Sequence, residues 1–228
     1  MTRPLRLHYA PDNASLCVRL ALEELGLAYD SVLVDRRAKA QKSSAYLAMN
    51  PNGLIPVLEI PQGPMFETGA ILLWLSDTYG GLMPAPDDPA RAHAVQWLFW
   101  LANTLHPTAR MLFYPDQYCD GDAEGLRRTT RQRLSHQLGL LEQASHADWI
   151  DADGASAQGC YLGPLLRWFA LYGGATDWFA LQRWPRLLAF AERAELQSAA
   201  RKAASAEGLG PKPFSAPIHC HPPEGSAV

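Results

Sequence analysis

Asn50-Pro51-Asn52-Gly53-Leu54-Ile55-Pro56-Val57-Leu58-Glu59 joins a turn to the start of an apolar strand. The first four residues are turn chemistry, because proline presets φ while asparagine and glycine accept left-handed backbone. The apolar run Ile55 to Ile60, and Met65-Phe66 beyond a Pro61-Gln62-Gly63-Pro64 turn, read as two short strands. Pro56, set just before a buried strand, predicts a cis peptide bond after Ile55. Such a bond leaves the Ile55 N–H and C=O facing outward, ready to pair with an extended peptide. The same proline also suits a plainer role, the first residue of an edge strand. Glu67-Thr68 then opens a helical pattern in which Ile71, Leu72, Leu75 and Tyr79 share a face. A helix N-terminus presents unpaired N–H groups and partial positive charge, which favour a carboxylate. The Thr68 hydroxyl adds a donor, and Glu67 suits an ammonium, so the pair matches the α-amino-acid end of a ligand. A helix cap with an acidic first turn uses the same residues.

Toward the N-terminus, Leu5 to Tyr9 alternates with period two, Pro11-Asp12-Asn13 reads as a turn, and Ser15 to Leu25 has helical spacing stopped by Gly26. Asp30 to Asp35 is a second strand, and Arg36 to Ala48 is irregular with room for one short helix. The order is βαβ, then ββα. Gly80 to Pro89 holds three prolines and two glycines in ten residues, which reads as a linker. Beyond it the patterns are helical: Ala90 to Phe113, Gly121 to Ala147, Cys160 to Tyr172 as a buried central helix kinked or delayed by Pro164, and Pro185 to Ala204. Gly208 to Val228, rich in Pro, Gly and Ser, is expected to lie extended over the surface or to be disordered. The expected division is therefore residues 1–79, a linker at 80–89, an all-helical part at 90–207 and a tail at 208–228.

The bulk properties narrow the classes. Of 228 residues, 48% are hydrophobic and 19% charged, enough apolar content for a sizeable core. A net charge of −3 with no run of like charges argues against nucleic-acid and anionic-membrane partners. The first residues lack the apolar stretch of a secretory signal, and no run approaches the roughly 18 apolar residues that span a bilayer. Cys17, Cys119, Cys160 and Cys220 are scattered without metal-ligand spacing. They read as free thiols in a reducing compartment, hence a cytoplasmic protein.

Taken together, the segment from Asn50 to Thr68, the βαβ-ββα order, the Pro-rich linker and the helical remainder resemble the glutathione transferase family over roughly Leu5 to Phe214. The resemblance implies a thioredoxin-like α/β domain with a mixed four-stranded sheet, followed by an all-α domain. It implies that the Ile55 backbone, beside Leu54 and Pro56, pairs with the cysteinyl residue of glutathione. It further implies that Glu67 and Thr68 hold the γ-glutamyl end and that Lys39 belongs to the same binding set. Glutathione is then a co-substrate, no metal is required, and the expected assembly is a homodimer.

Such chemistry needs the glutathione sulfur as a thiolate. Lowering a thiol pKa by about two units takes roughly 2.7 kcal/mol of preference for the anion. One hydrogen bond to a charged group supplies about 1.5–3 kcal/mol, and a helix N-terminus adds about 0.3–1 kcal/mol. Tyr9-Ala10-Pro11-Asp12-Asn13-Ala14-Ser15-Leu16-Cys17 occupies the corresponding place and resembles the bacterial beta class. Where that class has Cys-Ser-Leu, this chain has Ala14-Ser15-Leu16, which shifts the burden to Ser15, with Asn13 and Tyr9 as further candidates. Ser15 also suits a plain helix cap, and Cys17 reads as core packing.

Ala102-Asn103-Thr104-Leu105-His106, with Leu112 to Asp116, resembles the beta-class segment whose histidine reaches the active site, so His106 is a fourth candidate beside its structural reading. The second-substrate pocket is expected to include Trp97, Trp100 and Arg110. Two departures stand out. The central helix opens with Ser156-Ala157-Gln158-Gly159, without the acidic partner of a capping box, so it is expected to start differently. His219-Cys220-His221, three adjacent residues on a Pro-rich tail, cannot close a tetrahedral metal site alone. The expected function is conjugation of glutathione to an electrophilic, largely apolar small molecule. The alternatives are glutathione-dependent lyase, isomerase or peroxidase chemistry, and a family member that binds without catalysis.

Overall fold

The computed structural model describes residues 4–152 and 155–227. Leu5–Tyr9 (β1) places Leu5, Leu7 and Tyr9 on one buried face, and Arg6 projects from the other face into solvent. His8, on the Arg6 face, is buried as well, because Tyr46 packs edge-on against it at 6.1 Å. Both faces of this strand are therefore covered, which is why its alternation is incomplete. Tyr29–Leu33 (β2) runs parallel to β1, and Val57–Ile60 (β3) runs antiparallel to it and to Gly63–Phe66 (β4). The sheet order is β2-β1-β3-β4. The hairpin turn is tighter than the sequence implies, since β4 already begins at Gly63.

Ser15–Glu24 (α1) makes the parallel crossover, and Ser15 through Leu22 are all buried. A helix buried on every side shows little amphipathic contrast. The stretch 36–48 contains a 3₁₀ turn at Ala40–Lys42 and one helical turn, Ser44–Leu47 (α2). Thr68–Tyr79 (α3) buries Ile71, Leu72 and Leu75, whereas Tyr79 is exposed at the helix end.

After the 80–90 connection come Arg91–Trp100 (α4) and His106–Phe113 (α5), joined without a break by a π-helical turn over Leu101–Leu105. The cause is Pro107. It has no N–H, and its ring would strike the carbonyl four residues back, so the helix widens just before it. The His106 N–H reaches Leu101, five residues back, and the Thr108 hydroxyl donates to the Thr104 carbonyl at 2.7 Å.

Ala123–Glu142 (α6) precedes Ala157–Leu171 (α7), and α7 is buried along nearly its whole length. It starts where a capping box would place it. Ser156 Oγ accepts the Gly159 N–H at 2.9 Å without an acidic partner, and the helix runs through Pro164. Pro185–Ala194 (α8) and Ser198–Glu207 (α9) complete the helical region, and 208–227 has no regular structure. Among the described residues, no helix is long and apolar enough to cross a membrane.

Candidate active site

The turn before β3 is built by side chains. Asn50, buried, donates through Nδ2 to the Leu54 carbonyl at 2.8 Å and accepts the Asn52 N–H at 3.1 Å. The Tyr46 hydroxyl donates to the same Leu54 carbonyl at 2.9 Å. Leu54 is thereby fixed at the surface, and the Ile55–Pro56 peptide bond is cis. Among the described residues, the Ile55 N–H and C=O take part in no hydrogen bond. An unpaired peptide beside a fixed turn is an edge on which an extended ligand can add.

Glu67 immediately precedes α3 in left-handed backbone, φ 74°. A non-glycine residue held there costs of order 1 kcal/mol or more, and such positions concentrate at functional sites. Thr68, the first residue of α3, is buried; Glu67 is exposed. Both bear on the hydroxyl of Tyr161 from α7, whose pKa is raised by burial. On its other side Tyr161 Oη lies 2.9 Å from Nδ1 of His106. The π turn ahead of Pro107 thus brings His106 to the α3 N-terminus through one tyrosine. Burial, with the Arg110 charge nearby, lowers the His106 pKa to about 4, so it is neutral at physiological pH. Lys39 stands apart, exposed in left-handed backbone at the start of the 3₁₀ turn.

The loop between β1 and α1 is held from below and covered from above. Ser15 turns inward. Its fully buried hydroxyl donates to the Ala10 carbonyl at 3.1 Å and accepts the Ala10 N–H at 3.3 Å, which braces the loop and caps no helix N–H. Asp12, in left-handed backbone, sends its carboxylate into α7. There it accepts Arg167 Nε at 2.8 Å and Nη2 at 2.9 Å, Trp168 Nε1 at 2.8 Å and Tyr172 Oη at 2.6 Å. The Asp12 N–H donates to Glu207 of α9 at 2.7 Å, and Glu207 pairs with Arg19 at 2.7 Å. The Trp168 ring also lies 5.9 Å from His106, so α7 touches both halves of the site.

Glu207 has a pH consequence. Burial pushes its pKa up to about 7 against the pull of Arg19 and the Asp12 N–H. A carboxyl whose folded pKa exceeds its unfolded value of about 4.5 binds more protons in the folded state between those limits. Its contribution to stability is complete below pH 4.5 and is lost as pH rises through 7. Glu207→Gln is expected to flatten the fall in unfolding free energy between pH 5 and 8, read by urea titrations at each pH. An unchanged slope would assign the proton elsewhere.

The other candidates divide. Asn13 donates through Nδ2 to the Pro11 carbonyl at 2.7 Å and to the Ala227 carbonyl at 3.1 Å, while its Oδ1 accepts Arg36 at 2.9 Å. The Tyr9 hydroxyl donates to Glu224, and the Tyr9 ring lies under the Arg19 guanidinium at 4.5 Å. Cys17 is buried in the core. Trp97 donates to the His146 carbonyl at 3.1 Å and meets Trp100 edge-on at 5.4 Å, so this pair is drawn toward the α6–α7 connection. Ala102, by contrast, faces Gly69 of α3. Arg110 reaches Gln117 and Tyr118 and lies over Tyr114. Sequence reasoning missed Tyr161, Asp12, Arg167 and Glu224. Only Asp12 carried a local signal, its place in a Pro-Asp-Asn turn.

Residues 4–77, which contain β1 through β4 and most of α3, match the family described as glutathione S-transferase, N-terminal domain. Residues 4–77 form a glutathione S-transferase N-terminal domain. It is 28% identical over 210 residues to Glutathione S-transferase GstA of Escherichia coli O157:H7, covering 90% of this chain and 100% of that one. It is 37% identical over 130 residues to a maleylacetoacetate isomerase of Rhizobium meliloti, covering 55% and 60% respectively. A sphingomonad glutathione S-transferase solved in complex with glutathione superposes with a TM-score of 0.73 at 25% identity, covering 90% of this chain and 100% of that one. The thioredoxin-like N-terminal domain and the helical region behind it are those of glutathione transferase structures. Among the described residues no three potential ligands cluster as a metal site, His219-Cys220-His221 included.

Proposed function

We propose that the protein binds glutathione along the Ile55 peptide and the α3 N-terminus, and joins the whole tripeptide, through its sulfur, to an electrophilic, largely apolar small molecule. The unpaired Ile55 backbone carries this reading, since a tripeptide needs a free peptide edge to pair with. Thr68 and the first N–H groups of α3 receive the γ-glutamyl carboxylate, and exposed Glu67 receives its ammonium. The sulfur then falls to the start of α1. Tyr9 and Ser15 are buried there, while Asn13 is partly exposed and carries an amide donor. Asn13 gives up its bond to the Ala227 carbonyl and, together with the α1 N-terminus, holds the thiolate, which attacks the electrophile as the leaving group departs. His106, neutral, steadies Tyr161 against Thr68 and carries no charge to the thiolate. Arg110 marks the second-substrate side, and Lys39 the glycyl side. The domain boundary falls at residues 80–89. The protein works in a reducing compartment, consistent with its four unpaired cysteines, and as a homodimer.

A second reading keeps the bound glutathione and changes the outcome. Similarity to a maleylacetoacetate isomerase supports reversible addition of the thiolate, with glutathione released unchanged. Retention on immobilised glutathione, followed by conjugation of a generic aryl halide, tests the first reading. No retention and no rise in melting temperature with millimolar glutathione would end both. Retention without conjugation would favour the second.

A further inference from the structure

The candidate loop is covered by the chain's own segment 208–227. This segment is tied down at its base. Gly208, in left-handed backbone at φ 63°, accepts the His221 N–H at 2.8 Å, and a Cβ on Gly208 would lie 2.0 Å from the His221 carbonyl oxygen. Arg167 donates to the carbonyls of Leu209, Pro213 and Ile218, at 3.3, 3.4 and 2.8 Å. The same guanidinium clamps Asp12, so tail and loop share one anchor. From this base the chain runs on to the loop surface. Glu224 accepts from the Tyr9 hydroxyl, and the Ala227 carbonyl accepts from Asn13 and from Arg36, the latter at 2.5 Å. Gly225 passes so close that a Cβ there would lie 2.6 Å from Leu33 Cδ1 and 3.3 Å from Pro11 Cδ.

The two ends differ in kind. The base is buried, with an arginine of 0% side-chain exposure at its centre. The distal turn is mostly exposed: Pro223, Glu224 and Gly225 lie at the surface beside a buried Ser226, held by the side-chain donors Tyr9, Asn13 and Arg36. A proline-rich segment without regular structure, held at its exposed turn by side-chain donors, can lift there while its base stays fixed. What it offers the loop, a carboxylate and a peptide carbonyl, is the chemistry of a peptide ligand.

We infer that residues 222–227 are an internal competitor for the glutathione site, seated on Tyr9, Asn13 and Arg36 and displaced when a peptide thiol binds. This rests on the proposed glutathione binding. The apparent affinity of such a site is lowered by the fraction of molecules in which the segment is lifted. Weakening the distal contact raises that fraction and tightens binding.

The test uses the full chain and S-methylglutathione. Calorimetry compares the parent protein, Glu224→Ala and, as a remote surface control, Asp87→Ala. A protease that cuts after glutamate then reports how readily Glu224 is reached as ligand is added. Glu224→Ala is expected to bind about fivefold tighter, Asp87→Ala to match the parent, and ligand to speed cleavage at Glu224. Equal affinity for parent and Glu224→Ala, with cleavage indifferent to ligand, would overturn the competitor while leaving the glutathione reading intact. Absence of binding in both parent and Glu224→Ala would remove the glutathione reading and this inference with it.

Discussion

Asp12→Ala is expected to lower the unfolding free energy by about 3–5 kcal/mol, the usual result of stranding one partner of a buried ion pair. Asp12 and Arg167 are both 0% exposed at the side chain. The carboxylate is satisfied by two guanidinium nitrogens, an indole N–H and a phenol. Its loss leaves the guanidinium with carbonyl partners and no counter-charge. It also frees Trp168 Nε1 in the interior, at about 1–3 kcal/mol if it finds no other partner, and the partly buried Tyr172 Oη at less. The urea midpoint should fall by roughly 1–2 M. A shift under about 1 kcal/mol would show that the loop is anchored by its other bonds. Pairing the change with Arg167→Met separates charge from packing. If the stranded cation is the main loss, the double variant recovers part of the stability, because apolar replacements of buried ion pairs are often close to neutral.

How legible this chain was in its sequence depended on the range of each interaction. Turn chemistry, strand alternation and the Thr68 start are local, and they stand in the structure within a residue or two. The cis bond at Pro56 also had a local signal. Asp12 did not reveal its role, because Arg167 lies 155 residues away and nothing about either residue names the other. The surroundings of Trp97 and Trp100 are hard to read from sequence for a related reason. A helix packed on more than one side has no single apolar stripe, and the π turn at Leu101–Leu105 rotates α5 relative to α4. The proline responsible was in plain view, but the spacing of Leu98, Leu101 and Leu105 fits an unbroken α-helix just as well. Ser15 was read as a cap or a catalytic donor. The structure shows a hydroxyl committed to both polar groups of the Ala10 backbone, an arrangement the sequence does not distinguish from its rival.

Thr68→Val is expected to weaken glutathione binding by about 10–100-fold, the loss of one hydrogen bond to a charged group worth about 1.5–3 kcal/mol. Threonine and valine are close in shape, so the packing of this buried residue is disturbed little, while its hydroxyl is removed. The contact is made to a part of the ligand remote from the sulfur, so it acts in the ground state and the transition state alike. KM for glutathione should therefore rise while kcat at saturation changes little. Thr68→Ser keeps the donor and should restore most of the affinity. Because Thr68 also bears on Tyr161, a loss of affinity alone does not name the bond at fault. A glutathione analogue lacking the γ-glutamyl α-carboxylate does. If the hydroxyl serves that carboxylate, parent and Thr68→Val bind the analogue equally weakly, and the cycle yields a coupling of the same roughly 10–100-fold. If Thr68→Val still weakens the analogue by the full factor, the hydroxyl acts through Tyr161 instead, and the carboxylate is held by the backbone of α3.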